Sequence, residues 1–442
     1  MDWIGLVFLV LAILMPCFWL AQFLFVRSHL RWSARPAAPL PGEADISLSW
    51  IHPIKDLDYK LRRSLSSWFR QDFGGTVQHL FSFQDPDDAA IPVVRAFLAS
   101  RGIGETGRVS ARILVHPLLP RVNGKSSNMI HGVRAAAHDL LVFNDSDIRV
   151  RPDFLRKMAG PLLADTKVGI VTCGQVNFGG RDFWTRMFTA VQNHETDYYW
   201  AFLCRLGMDV GMTGAAFSMR REVLQDVGGL EAYGASLLED MHIGNEIYRK
   251  GYRLVLGPFV DCHVHRIARE KTFNYAKRIA VGIRAHIATD LPLFLFVIGW
   301  YLFLLLLAAI LGRADLLLLM AACVVLRLVH GNVMRLLTRN DLVWYDLANG
   351  LLFDLMAIGA MAYSLFARPV VSWRGIRYRV TRAGFIDFDH PIPSEGGTAP
   401  VPVDIASADL DDRVEVEPQP ADLPPEVGDA ASGDAGTGPA GG

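Results

Sequence analysis

The chain reads as an α/β protein whose mostly parallel, twisted sheet is flanked by transmembrane helices on its amino- and carboxy-terminal sides. Three observations carry that expectation. Between Ala44 and Asp290 short apolar runs alternate with segments of helical spacing, the pattern of a parallel sheet wound by crossover helices. Outside that region lie long apolar stretches, Trp3 to Val26 and Leu291 to Ala367. Two successive strands end in carboxylates, Asp85 and the Asp145-Ser146-Asp147 turn, and open α/β sheets bind ligands where strands end.

Composition agrees with this mixed character. Of 442 residues, 51% are apolar, 10% aromatic and 20% charged, too hydrophobic for an ordinary soluble enzyme and too charged for an all-membrane transporter. Trp3 to Val26 is almost uncharged and spans about 36 Å as a helix, enough to cross a bilayer. A cleavable signal peptide is the alternative, but Asp2 stands where a basic region belongs and no small-residue cleavage site precedes Arg27.

The elements that follow can be taken in order. Ile46–Ile51 is a first strand, and Asp58–Phe69 has helical spacing. Thr76–Phe83 is a second strand, running into Gln84-Asp85-Pro86-Asp87-Asp88. Ile91–Ala99 is helical and Ala111–His116 a strand. Lys125–Ala137 is a helix, opened by Gly124-Lys125-Ser126-Ser127-Asn128. Free amides at such a start favour an anion, but the P-loop spacing is absent, and an ordinary helix start reads equally well. Leu140–Phe143 is a buried strand, and Val168–Cys173 the next.

Alternation along an extended backbone sends the side chains of Asp145 and Asp147 the same way. Two hard oxygen donors so placed suit a divalent cation that also holds a phosphorylated substrate; a solvated acidic turn is the alternative. Gly207, Gly211, Gly214 and Gly228-Gly229 either let the backbone approach a sugar or phosphate or simply form turns. Glu239-Asp240 opens a helix running to Lys250, as a cap or as a general base in a cleft.

A second apolar zone, Leu291–Met334, is broken by Gly312-Arg313-Ala314-Asp315 and reads as a hairpin of two spans; Arg327 and His330 within it need partners other than lipid. A third, about Trp344–Ala367, carries Asp346, Asn349 and Asp354, and either crosses or lies partly in the interface. Arg27, Arg31 and Arg35 after the first span place the middle segment in the cytoplasm. The basic residues after Ala367 ask for the same side, which one anchor plus three later crossings does not give. A re-entrant last segment, or a count wrong by one, reconciles the two. Residues 391–442 hold eleven acids and one Arg, so the rest of the chain carries about nine positive charges; that tail has no core to bury and is expected to be disordered. The basic body suits anionic lipid and phosphates. Nothing suggests nucleic acid, and the five scattered Cys fit neither a disulfide framework nor a zinc site.

In order and spacing these motifs resemble family 21 glycosyltransferases, the ceramide glucosyltransferase group, which is close to GT-A family 2 and to hopanoid-linked enzymes. The resemblance covers roughly Trp3 to Arg382. It rests on Gln84-Asp85-Pro86-Asp87-Asp88, Gly124-Lys125-Ser126-Ser127-Asn128, the run Asp145 to Asp153, Gly211-Met212-Thr213-Gly214 and Glu239-Asp240. It implies a GT-A-type nucleotide-sugar-binding domain moving a hexose, with inversion, from a UDP-sugar to a membrane lipid. UDP-glucose is the implied donor and ceramide the implied acceptor. Asp85 would meet the uridine, Lys125 the nucleotide, and Asp145 and Asp147 a Mg2+ or Mn2+ ion on the diphosphate. Asp240 would be the catalytic base. The family's Gln- or Arg-x-x-Arg-Trp signature before the last membrane region is incomplete. Arg278 matches its first residue but Val281-Gly282 replace Arg-Trp, and a three-residue slip matches Arg284 but puts Ala285 in place of the Trp. Either Arg278 or Arg284 could meet the leaving diphosphate, or both could meet lipid phosphates.

The expected organisation is a membrane anchor at 1–27, a cytoplasmic catalytic domain at 44–265 and a basic interfacial helix region at 266–290. A membrane region at 291–367, a basic juxtamembrane segment at 368–390 and the tail at 391–442 follow. The whole would be a multi-pass protein of a bacterial inner membrane. Rival readings are transfer to diacylglycerol or a hopanoid, a processive polysaccharide synthase, and a non-catalytic nucleotide-sugar-binding scaffold.

Overall fold

The computed structural model describes residues 2–392 apart from 181, 191, 194–197, 208–211, 286–299, 339–341, 345, 367–369, 374–375, 382 and 391. Nearly all of the acidic tail, the start of the second apolar zone and Gly211 therefore lie outside the described residues. The centre of the molecule is a seven-stranded sheet. Its strands are β1 (Ser47–Pro53), β2 (Thr76–Phe83), β3 (Val109–Val115), β4 (Leu140–Asn144), β6 (Val168–Thr172), β8 (Ala216–Arg220) and β9 (Arg253–Leu256), in the order β3-β2-β1-β4-β8-β6-β9. The four strands β3-β2-β1-β4 pair in parallel, as do β6 and β9. Only β8 runs against both its neighbours, with Phe143 opposite Phe217 and their rings stacked at 4.5 Å. A smaller sheet joins β5 (Ile148–Arg149), β10 (Val260–Val264) and β7 (Gln175–Gly179). The fold class is thus the one the alternating pattern predicted.

Strand β4 shows why the central runs are continuously apolar. All five of its residues are buried. Leu140 and Val142 pack with Trp50, Phe81 and Phe154 on one face, while Leu141 and Phe143 pack with Ile51, Leu80 and Met129 on the other. A parallel strand covered on both faces has no polar side to show. Helices α2 (Leu61–Trp68), α3 (Ala90–Ser100) and α5 (Phe154–Ala164) are among those covering the first face. On the other lies α4 (Gly124–Ala135), capped by Asn123, whose Oδ1 accepts from Ser126 N at 2.9 Å. A Cβ on Gly132 would come within 2.4 Å of Ile51 Cγ2, so α4 sits directly on β1. That contact fixes the helix that carries Lys125.

The amino-terminal helix α1 (Trp3–Ala34) is longer than the apolar run that announced it. Its last turns are stitched into the globular body: His29 Nε2 meets Gly257 O at 2.8 Å, Phe259 N donates to Ser33 Oγ at 3.1 Å, and Lys157 Nζ donates to Ser33 O and Arg35 O. After the body come α6 (Phe183–Ala190), α7 (Tyr198–Arg205), α8 (Arg221–Asp226), α9 (Glu239–Arg249), α10 (Arg269–Ala285), α11 (Trp300–Ile310), α12 (Ala314–Leu337) and α13 (Asp346–Phe366). Among the described residues α1 and α12 are long and apolar enough to cross a membrane. The expected break between α11 and α12 falls at Gly312, which has φ +64° in its left-handed turn, a conformation that favours glycine.

Both ends of α13 are held by neighbouring helices. At its start Asp346 is buried between Arg186 of α6 and Arg335 of α12, at 2.5 Å from each. Near its end Tyr363 lies under Lys277 of α10 at 5.2 Å, and the chain returns through the hairpin β11 (Val370–Trp373) and β12 (Ile376–Arg379). Removing one partner of a buried ion pair leaves uncompensated charge. Asp346→Ala is therefore expected to cost about 3–5 kcal/mol, read as a lower unfolding temperature of the detergent-solubilised protein. An unchanged unfolding temperature would show the network to be dispensable.

Candidate active site

The carboxy-terminal ends of β1, β2 and β4 form one rim, and the candidate residues collect along it. Strand β4 gives way to Asp145-Ser146-Asp147, with Asp145 N donating to Ala215 O at 2.9 Å. Across the rim, Lys125 projects from the first turn of α4. Its Nζ lies 2.8 Å from Asp145 Oδ1, 3.6 Å from Glu239 Oε1 and 3.0 Å from Gly214 O. Burial works to lower the lysine pKa, but the carboxylates of Asp145, Glu239 and Asp240 outweigh it and hold the ammonium firmly charged. One cation thus ties the β4 turn to the start of α9.

Gly214 sits between these groups. A Cβ there would stand 2.9 Å from Asp240 Oδ2 and 3.0 Å from Lys125 Nζ. Any side chain would wedge the acid and the cation apart, which gives that glycine a steric reason. Gly214→Ala is expected to lower kcat by on the order of 10–100-fold through misplacement alone, with the unfolding temperature little changed. Native turnover in this variant would remove Gly214 from the site.

Asp147 lies deeper. Cys262 of β10 donates from Sγ to its Oδ2 at 3.3 Å. Burial, then the charges of Asp58 and Asp145, push its carboxyl up to about 7. Asp58, in the loop after β1, was not among the expected residues; its Oδ2 accepts from Ser146 Oγ. It follows Asp56-Leu57 just before a helix, and only the β1–β4 pairing brings it to the turn. Among the described residues no group of three or more His, Cys, Asp or Glu side chains could enclose a metal ion unaided. Two or three crowded carboxylates, that of Asp147 pushed up by burial and by its neighbours, are nevertheless a donor set that fits a hard cation completed by phosphate and water.

Glu239 is buried, and its carboxyl is raised by that burial and by Asp240, against the opposing pull of Lys125 and Arg278. Arg278 of α10 therefore belongs to the electrostatic neighbourhood of the cluster. Arg284, one and a half turns on, instead donates from Nη2 to Thr381 O at 2.6 Å. Val281, standing where the family has its signature Arg, is fully buried against Leu237, Val371, Val380 and Ile386. Asp240 keeps one oxygen local, accepting from Met241 N at 2.9 Å. Asp85 is exposed at the end of β2, where its Oδ1 accepts from Asp87 N at 2.9 Å. Its neighbour Gln84 donates from Nε2 to Gly124 O and ties that strand end to α4.

Sheet and rim together define a glycosyltransferase-type α/β domain. The chain belongs to glycosyl transferase family 21, whose family model matches residues 9–386. It is 27% identical over 231 residues to ceramide glucosyltransferase 3 of Caenorhabditis elegans, covering 52% of this chain and 47% of that protein. It is 26% identical over 274 residues to ceramide glucosyltransferase 1 of the same organism, covering 60% and 54%. The chain thus spans about half the length of the curated relatives it matches. Among solved structures it is similar to the mannosyltransferase PcManGT from Pyrobaculum calidifontis in complex with GDP-Man and Mn2+, at 19% identity and a TM-score of 0.42, over 81% of this chain and 98% of that one. It is also similar to glucosyl-3-phosphoglycerate synthase from Mycobacterium tuberculosis in complex with Mn2+, UDP and phosphoglyceric acid, at 17% identity and a TM-score of 0.35, over 57% and 84%.

Proposed function

We propose that the chain is a membrane-bound glycosyltransferase that moves a hexose from a UDP-sugar, UDP-glucose in the first instance, to the hydroxyl of a membrane lipid, with ceramide as the acceptor. The observation that carries the reading is the bridge of Lys125 between Asp145 and Glu239, with Asp240 beside it across Gly214. A carboxylate suited to the donor side and one suited to the acceptor side are then held a few ångströms apart by a single cation. Membership of family 21 and the two ceramide glucosyltransferase relatives support the choice of sugar transfer and of ceramide.

In this reading Asp85 accepts hydrogen bonds from the uridine, and Lys125 stands by the nucleotide. Asp145 and Asp147 hold a divalent cation, Mg2+ or Mn2+, which when bound neutralises charge on the departing diphosphate. Asp240 takes the proton from the acceptor hydroxyl as its oxygen bonds to the anomeric carbon. The bond from that carbon to the diphosphate oxygen breaks on the opposite face, so configuration inverts and UDP leaves. Arg278 and Arg284 add positive charge toward the leaving group. Helices α1 and α12 anchor the domain at a membrane, taken to be the inner membrane of a bacterium with the sheet on its cytoplasmic side.

Purified protein with UDP-glucose, divalent cation and ceramide is expected to yield glucosylceramide by mass spectrometry. Product on diacylglycerol or a hopanoid alone would replace the acceptor, and binding of UDP without transfer to any of the three would leave a scaffold. Lipid profiles of a strain lacking the protein are expected to lose one glycolipid, whose mass names both sugar and acceptor.

A further inference from the structure

Glu239 and Asp240 begin α9, but the loop before them, residues 234–238, is held mostly from outside. On one side Asn123, the cap of α4, donates from its backbone N to Gly234 O at 2.7 Å and from Nδ2 to Ser236 O at 2.9 Å. On the other side lies a segment about 150 residues away in sequence, delivered by the chain as it leaves α13. Ile386 N donates to Ala235 O at 2.7 Å, and Leu237 N donates to Gly384 O at 3.1 Å. Ser236 and Phe385 pair as an antiparallel bridge. His242, one turn into α9, meets Ser236 Oγ at 2.7 Å and Ala383 O at 3.2 Å, and its ring packs on Phe385 at 4.7 Å.

This segment is itself tethered at both ends. Thr381 O accepts from Arg284 of α10, and Asp389 forms a two-pronged pair with Arg121 at 2.6 and 3.0 Å. Between the tethers, Val380 and Ile386 pack against Leu237, Val281 and Val371. Buried backbone groups need partners, so this loop holds its shape only while the distant segment supplies them.

We propose that the described residues of 380–389 form a positioning strap. By completing the backbone hydrogen bonds of the loop before α9, the strap sets where Asp240 stands relative to Lys125 and Asp145, and so links the acceptor side of the site to the membrane-proximal helices α10 and α13. The inference rests on the role given to Asp240 above. Ile386 is a positioning residue and touches no reacting atom.

The test uses the full chain in lipid nanodiscs. Ile386→Pro removes the N–H that Ala235 O requires, whereas Ile386→Val keeps it. With UDP-glucose, Mn2+ and ceramide, Ile386→Pro is expected to lower kcat at least about tenfold while the Kd for UDP with Mn2+ shifts less than about twofold. Ile386→Val should match the native protein in both. Hydrogen–deuterium exchange should rise at the amides of residues 235–242 in the proline variant and stay unchanged at 124–147. Should Ile386→Pro fail to fold, the double variant Arg121→Gln, Asp389→Asn, which releases an exposed tether, is expected to show the same split in smaller measure. Equal losses of kcat and UDP affinity, or faster exchange at 235–242 with native kcat, would overturn the proposal. Absence of transfer by the native protein would count against the proposed transfer to ceramide, while the exchange result would still decide whether the strap holds the loop.

Discussion

Asp240→Asn is expected to abolish sugar transfer while UDP binds almost as tightly as before. Asparagine has nearly the same shape, so Gly214 and Lys125 keep their places, but an amide cannot take the hydroxyl proton. A positioned general base contributes typically about 10²–10⁴-fold, and kcat should fall by that order. Lys125 loses one of three carboxylate neighbours yet keeps Asp145 at 2.8 Å and Glu239 at 3.6 Å, so the donor side is left nearly intact. The alternative role for Asp240 is capping α9, worth about 0.3–1 kcal/mol through the helix dipole. In that case the variant would turn over within a few-fold of native and unfold slightly sooner. Measuring kcat beside UDP affinity by calorimetry separates the two, and sustained turnover would strip Asp240 of its role.

The parallel half of the fold is legible where a strand is buried and rich in apolar residues, as in β4, whose five residues are all buried. Thr76–Phe83 is read to the residue, and Leu140–Phe143 falls one short of the observed end. The strands that escape reading are those whose pairing is distant or brief. Ala216–Arg220 lies in a glycine-rich stretch that looks like turns, and only its antiparallel fit between β4 and β6 makes it a strand. Ile148–Arg149 is two residues long. The same distinction runs through the site. Asp85, Lys125, Asp145, Asp147 and Asp240 stand at element ends that periodicity can locate. Asp58 and Gly214 matter only through what folding brings against them, the Asp145–Asp147 turn in one case and a lysine–aspartate contact in the other.

The membrane-proximal parts show a further limit. Arg27 to Arg35 read as the exit from an anchor, yet α1 continues to Ala34 because His29, Ser33 and Trp32 find partners on the body: the Gly257 carbonyl, the Phe259 amide and the Lys157 ammonium. Charge counting posed the contradiction over the last apolar segment, and only the fold shows what its ends pack against, Asp346 on Arg186 and Tyr363 on Lys277. Local sequence states which side a segment prefers. Which partner holds it there is a tertiary fact.

Chelating divalent cations with EDTA is expected to reduce transfer to background, and excess Mn2+ or Mg2+ to restore it. Asp145 has Lys125 as a counter-ion, but Asp147 faces Asp58 and Asp145 in a buried setting and is raised from its ordinary value of 3.8 to about 7. A cation binding there must displace that proton, so its affinity should rise with pH up to about 7 and level off above, falling about tenfold per unit below. The same shift fixes the sign of the stability effect. With the folded pKa above the unfolded one, the cation-free protein holds its proton more tightly when folded. The contribution is full below about 4 and is lost as pH rises to about 7. Unfolding temperature without cation should therefore decline across that window, while the increment given by Mn2+ should grow. Full activity in EDTA, or an increment from Mn2+ independent of pH between 5 and 8 in thermal unfolding, would mean that the Asp145–Asp147 turn is no cation site and that Lys125 alone answers its charge.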